Sequence, residues 1–286
     1  MIPASFDYVA PLTVEDAVAA LASGGDDAKV MAGGQSLIPV LRLRLSYPET
    51  VVDLGKIAEL RGVRDDGDAI VIGAMTTHDE VLKDPLVARY APLLAQATET
   101  VADPQVRHRG TFGGSLSHAD PAGDLPSVAL ALDAELVVAG PNGRRTIAAR
   151  DFFLDYLTTA IQPGEILVEI RLPKLGEGWG TCYEKFNRVA QAWSIVAVAA
   201  AVRRENGSIT EARVGLTNMG TTPLRATAVE QALAGRSASA EVLAEAASRA
   251  ADGTSPTSDL NAQADYRAHL ATVLTQRALT KAAGLG

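Results

Sequence analysis

Hydrophobic and polar positions follow two periods along this chain, and the change from one to the other divides it. Val14, Ala17, Val18 and Leu21 recur at three- and four-residue spacing, which predicts a helix over residues 13–21. Thr13 stands as its N-cap, Asp16 follows three residues on, and Gly24-Gly25 stops it. Short apolar runs predict strands at residues 29–31, 51–54 and 69–73, the last entered through an Asp66-Gly67 turn. Helical spacing follows at residues 77–82 and 91–100, then strands at 135–139 and 166–172.

Past a loop carrying Gly176, Gly178 and Gly180 the order changes. Three strand-like runs come first, at residues 181–186, 194–203 and 208–216, with Asn206-Gly207 as a hairpin turn between the last two. Three helical stretches complete the chain, at residues 223–233, 240–251 and 264–283. Strands followed by helices in blocks is an α+β pattern. It suggests two domains, residues 1–177 and 178–286.

Composition narrows the chemistry. A chain of 286 residues that is 47% hydrophobic and 21% charged can bury a substantial core. A net charge of −8 argues against a nucleic-acid partner. The longest apolar run, residues 195–202, is strand-sized and far short of the roughly 20 residues of a membrane span. No basic leader is visible at the start, so the expected location is the cytoplasm. Cys182 is the single cysteine, which rules out an intrachain disulfide and the four thiolates of an iron–sulfur cluster. His78, His108, His118 and His269 show no metal-binding spacing, so no metal site is expected. Redox chemistry here would need an organic cofactor.

Two glycine segments offer a place for one. Ala32-Gly33-Gly34-Gln35-Ser36-Leu37 follows a predicted strand, and Gly110-Thr111-Phe112-Gly113-Gly114-Ser115 repeats the theme with flanking hydroxyls. Glycine lets backbone approach a ligand, and free N–H groups at a helix start favour phosphate. One Gly-Gly alone reads as a plain turn. Two in one α/β region bring a diphosphate cradle level with that reading. Neither is a P-loop or a Gly-x-Gly-x-x-Gly fingerprint.

These two segments resemble the paired FAD loops of the medium subunit of aerobic carbon monoxide dehydrogenase, in the xanthine dehydrogenase flavoprotein family. Residues 3–8, Ile72-Gly73-Ala74-Met75-Thr76-Thr77-His78 and Asp120-Pro121-Ala122-Gly123-Asp124-Leu125-Pro126 extend the resemblance over nearly the whole chain. It implies a two-part FAD-binding domain of the vanillyl-alcohol-oxidase-like (PCMH) type, then a small domain of a three-stranded antiparallel sheet with three helices. It also implies FAD contacts from Val30, Met31, Ala32, Gly33, Gly34, Gln35, Ser36 and Leu37, and from Thr111, Phe112, Gly113, Gly114 and Ser115. Asp124 would contact the cofactor, Leu167 would supply an apolar contact, Lys185 would sit near the flavin, and Trp193 would cover the ring or its access. Plainer roles stay open: Asp124 as a helix cap, Leu167 as ordinary core, Lys185 as a solvated strand residue. Gln191-Ala192-Trp193-Ser194 departs from the Gly-Asp-aromatic-Ala of many relatives, and Ser115 replaces a frequent Asn.

The function so implied is an electron relay with no catalytic residue of its own. A large molybdopterin-binding subunit would oxidise the substrate, and a small subunit with two [2Fe–2S] clusters would pass electrons to this FAD. A quinone, a cytochrome, NAD or dioxygen would accept them, with peripheral association at the inner membrane open through that acceptor. A dimer of heterotrimers is the implied assembly. Two other readings stand beside it: a stand-alone flavin oxidase, and a non-catalytic docking protein of such a complex.

Overall fold

A computed structural model describes residues 2–285. The first expected helix is Val14–Gly24; the Thr13 hydroxyl accepts from the Asp16 N–H at 3.1 Å, and Val14, Ala17 and Leu21 are buried. It covers a parallel three-stranded sheet in the order Asp7–Val9, Thr50–Asp53, Ala28–Met31. A five-stranded antiparallel sheet follows, in the order Val63–Asp66, Ala69–Gly73, Ile166–Pro173, Glu135–Gly140, Gly143–Ala148. The strand Gly143–Ala148 escaped the hydrophobic pattern because its first four residues are exposed. Helices Pro92–Glu99, Phe112–His118 and Asp124–Ala131 bury their apolar sides in the core cluster that includes Ile70, Ile72, Leu136 and Ile170 of this sheet.

The C-terminal sheet consists of Trp179–Phe186, Val196–Glu205, Ser208–Thr217 and Leu224–Arg225, all antiparallel. Three strands were expected and four are present. The fourth has two residues, too few for any alternation to show, and Arg225 is fixed by Glu230, Asp133 and the Leu130 carbonyl. The helix expected from residue 223 accordingly starts later, as Thr227–Leu233, and is followed by Ala240–Ala247 and Ala264–Ala282.

The strand Val196–Glu205 explains how the two regions join. Val196, Val198, Ala200 and Val202 face the three C-terminal helices, while Ala197, Ala199 and Ala201 face the core of the first region together with Tyr183. Small residues on that second face let helix Asp124–Ala131 come close. A Cβ at Gly215 would stand 2.3 Å from the Ser127 carbonyl oxygen. Close packing brings Asp124, at the start of this helix, within hydrogen-bond reach of Tyr183 and Lys185 on the strand Trp179–Phe186.

Candidate functional site

A cavity of about 720 Å³ opens between the parallel sheet, the antiparallel sheet and the C-terminal sheet. Its size lies within the range of small-molecule and cofactor sites. Each of the two glycine segments forms part of its wall.

The first segment links strand Ala28–Met31 to the short helix Leu37–Arg42. Each of its glycines has its own cause. A Cβ at Gly33 would lie 2.1 Å from the Arg109 carbonyl oxygen, so this position locks the first turn against the second. Gly34 has φ +74°, the left-handed region that L-residues avoid. The N–H groups of Gly33, Gly34, Gln35 and Ser36 pair with no acceptor among the described residues. Four consecutive free donors at a cavity wall form an anion-binding concavity.

The second segment is built differently. Gly113, Gly114 and Ser115 lie inside helix Phe112–His118, with Thr111 as its N-cap. Its donors are already committed: Phe112 N–H to the Thr76 carbonyl at 3.0 Å, Gly113 N–H to the Ala74 carbonyl at 2.9 Å, and Ser115 N–H to the Thr111 carbonyl at 3.0 Å. The Gly114 N–H donates to Thr111 Oγ1 at 3.1 Å. This side therefore offers a helix dipole, hydroxyls and a surface without Cβ atoms, rather than the free N–H groups the sequence suggested. Gly113 is required by the fold as well, since a Cβ there would sit 2.6 Å from the Ala74 carbonyl oxygen.

At another part of the wall Asp124 and Lys185 form a buried ion pair at 2.8 Å, each side chain only 5% exposed. Tyr183 Oη and Ser194 Oγ each donate to Asp124 Oδ1 at 2.7 Å, while Lys185 Nζ donates to Oδ2. Burial, with the Asp124 carboxylate alongside, pushes the Tyr183 phenol well above its ordinary pKa and keeps it a donor. Lys185 Nζ also donates to the Thr100 carbonyl at 3.1 Å, which leaves one of its three N–H bonds without an acceptor among the described residues. His78 lines the cavity too. Its buried Nδ1 has no partner, and burial, with Arg107 adding to it, lowers its pKa to about 4, so the ring is neutral. Trp193, 53% exposed, lines the cavity with its ring centroid 6.3 Å from that of His118.

The family model described as the FAD binding domain in molybdopterin dehydrogenase matches residues 4–175, and that of the CO dehydrogenase flavoprotein C-terminal domain matches residues 181–282. The carbon monoxide dehydrogenase medium chain of Hydrogenophaga pseudoflava is 41% identical over 99% of this chain and 98% of its own length. The chain belongs to this flavoprotein family. It is an FAD-binding medium subunit of the molybdenum hydroxylase type, and thus a subunit of an oxidoreductase. A solved carbon monoxide dehydrogenase from Hydrogenophaga pseudoflava superposes with a TM-score of 0.97 at 43% identity, covering 100% of this chain and 99% of that one. The 6-hydroxypseudooxynicotine dehydrogenase complex subunit alpha of Paenarthrobacter nicotinovorans is 38% identical over 99% of this chain and 96% of its own length. Members of the family thus carry names with quite different substrates.

The residues that this flavoprotein family suggested as contacts line the cavity, apart from two. Met31 does not, although its neighbours Lys29, Val30 and Ala32 do. Phe112 does not either, because its side chain is fully buried in the core. Asp124 is no cap: Gly123 holds the N-cap position, and the carboxylate is taken by Tyr183, Ser194 and Lys185. Lys185 is buried rather than solvated, and Leu167 serves both core and cavity wall. Sequence reasoning missed His78, Val101 and Ala102 in the wall, and Tyr183 and Ser194 behind it. One signal was available, since Tyr183 and Lys185 lie two apart on a strand and so share a face.

The residues fit an FAD. Four free N–H groups suit a diphosphate, the glycines leave room for backbone approach, and Lys185 holds a spare donor.

Proposed function

We propose that this cavity holds FAD and that the subunit relays electrons from [2Fe–2S] clusters of a small partner subunit to an external acceptor. A large partner subunit with a molybdopterin centre would oxidise the substrate. The observation that carries the reading is the run of four unpaired N–H groups from Gly33 to Ser36 at the cavity wall. These donors bind the diphosphate, and Thr111, Gly113, Gly114 and Ser115 close over it from the opposite side. Ala32, Leu37 and Val30 shape the nucleotide's walls, and Leu167 gives an apolar contact. Lys185 and Asp124 would hold the ring end, and Trp193 would limit solvent access to it. When bound, FAD would supply one- and two-electron redox chemistry, which suits a relay between one-electron clusters and a varied acceptor.

This reading divides the chain into a two-part FAD-binding domain of the PCMH type, residues 1–177, and a carbon monoxide dehydrogenase-type C-terminal domain, residues 178–286. It assigns the subunit to a dimer of heterotrimers in the cytoplasm, with a quinone, a cytochrome, NAD or dioxygen as acceptor. No helix among the described residues is long and apolar enough to cross a membrane. The test is a complex reconstituted with and without FAD on this subunit. Substrate should reduce the [2Fe–2S] clusters in both, while acceptor reduction occurs only with FAD present. Equal acceptor turnover without flavin would overturn the relay.

A further inference from the structure

We propose that Tyr183 and Ser194 are positioning residues that hold the Lys185 ammonium toward the cavity and thereby raise the reduction potential of the flavin. The inference rests on the reading that the flavin ring lies beside Lys185.

The argument begins with how Asp124 is shared. Two neutral hydroxyls donate to Oδ1, both at 2.7 Å, and leave Oδ2 for Lys185 Nζ at 2.8 Å. The ammonium is thus bonded to one carboxylate oxygen rather than bridging two. Its second bond, to the Thr100 carbonyl, restrains its direction; Lys185 lines the cavity, and its third N–H has no acceptor among the described residues. Removing the hydroxyls frees Oδ1 to take that third N–H, which draws the cation back and strengthens the carboxylate's field on the cavity. A reduced, more negative ring would then be less well supported.

The two hydroxyls are themselves held in place. The Ser194 N–H donates to the Ala122 carbonyl at 3.3 Å, and the Ser194 carbonyl accepts from Asn218 Nδ2 at 2.8 Å. Tyr183 is buried between the central core and the carboxylate. Stability is a weak reason for such an arrangement, because a well-packed apolar replacement of a buried ion pair is often as stable. A pair kept at a ligand cavity with one donor left over is better explained by what it does to the ligand.

The test is an anaerobic potentiometric titration of the FAD-loaded subunit, with flavin content measured alongside. Lys185→Met should lower the midpoint potential. Tyr183→Phe and Ser194→Ala should each shift the oxidised-to-reduced ratio roughly tenfold toward the oxidised form, about 30 mV for a two-electron couple. Ser194→Thr, which keeps the hydroxyl, should restore the wild-type value. In a Lys185→Met background, Tyr183→Phe should add no further shift, since its effect acts through the lysine. Wild-type potentials in Tyr183→Phe and Ser194→Ala beside a lowered one in Lys185→Met would overturn this inference alone. An equal Tyr183→Phe shift with and without Lys185 would do the same. No effect of Lys185→Met would overturn the placement of the ring as well. Should Tyr183→Phe fail to keep its flavin, the Ser194→Ala and Ser194→Thr pair decides.

Discussion

His78 should make the folded chain sensitive to mild acid. Its side chain is buried, its Nδ1 has no partner, and its backbone N–H donates to the carbonyl of Gly110, the first residue of the second glycine segment, at 2.9 Å. Burial, reinforced by Arg107, moves its pKa from 6.5 to about 4. Above pH 6.5 the ring is neutral in the folded and unfolded chains alike, and nothing is lost. As the pH falls below 6.5 the unfolded chain takes up the proton first, so stability declines until the folded chain protonates near pH 4. A span of about 2.5 pH units at about 1.36 kcal/mol each amounts to about 3 kcal/mol in all. About 2 kcal/mol of that falls between pH 7 and pH 5, before most carboxylates titrate. Urea unfolding of the wild type and of His78→Gln at pH 7, 6 and 5 isolates this contribution, because every other group is common to both. The wild type should lose about 2 kcal/mol more than the variant between pH 7 and pH 5. Parallel losses in the two proteins would refute the reasoning.

The two glycines of the first segment should separate. Gly34→Ala forces an L-residue to φ +74°, at about 1–2 kcal/mol, and its Cβ meets mainly the movable end of Ile38. It should stay folded yet bind FAD at least tenfold more weakly in an equilibrium titration. Gly33→Ala meets backbone at 2.1 Å and should lower the urea midpoint as well as the flavin content. Cys182 is buried beside Glu184, and burial first, then that carboxylate, pushes its thiol up to about 11. At pH 8 only about one thiol in a thousand is then ionised, so alkylation by iodoacetamide should run at least about a hundredfold slower in the folded chain than in urea.

Much of the fold was legible because local chemistry and tertiary structure agree. Thr13 caps its helix, and Asn206-Gly207 turns its hairpin with positive φ at both residues. The helix Phe112–His118 was not legible, since Gly113-Gly114 opposes helix formation and only the Thr111 cap, the Ala74 contact and the burial of Phe112 and Leu116 sustain it. The cavity followed the same division. Its glycine walls could be read from residue types and spacing, whereas the roles of Asp124, Leu167, Lys185 and Trp193 came through resemblance. The network around Asp124 links residues 59 to 70 positions apart, a distance at which periodicity carries no information. Ser194 left no trace in the pattern for that reason.

The seam between helix Asp124–Ala131 and the C-terminal sheet has a consequence for biosynthesis. Asp124 emerges early, but Tyr183, Lys185 and Ser194 come later, and the strand of Tyr183 and Lys185 packs on the last helix, where a Cβ at Gly180 would stand 2.0 Å from the Ala282 carbonyl oxygen. Until that helix has docked, the chain offers the nucleotide its two glycine segments without a fixed Lys185. Tight flavin capture thus waits on the last helix, and a truncated product lacking it should be found colourless.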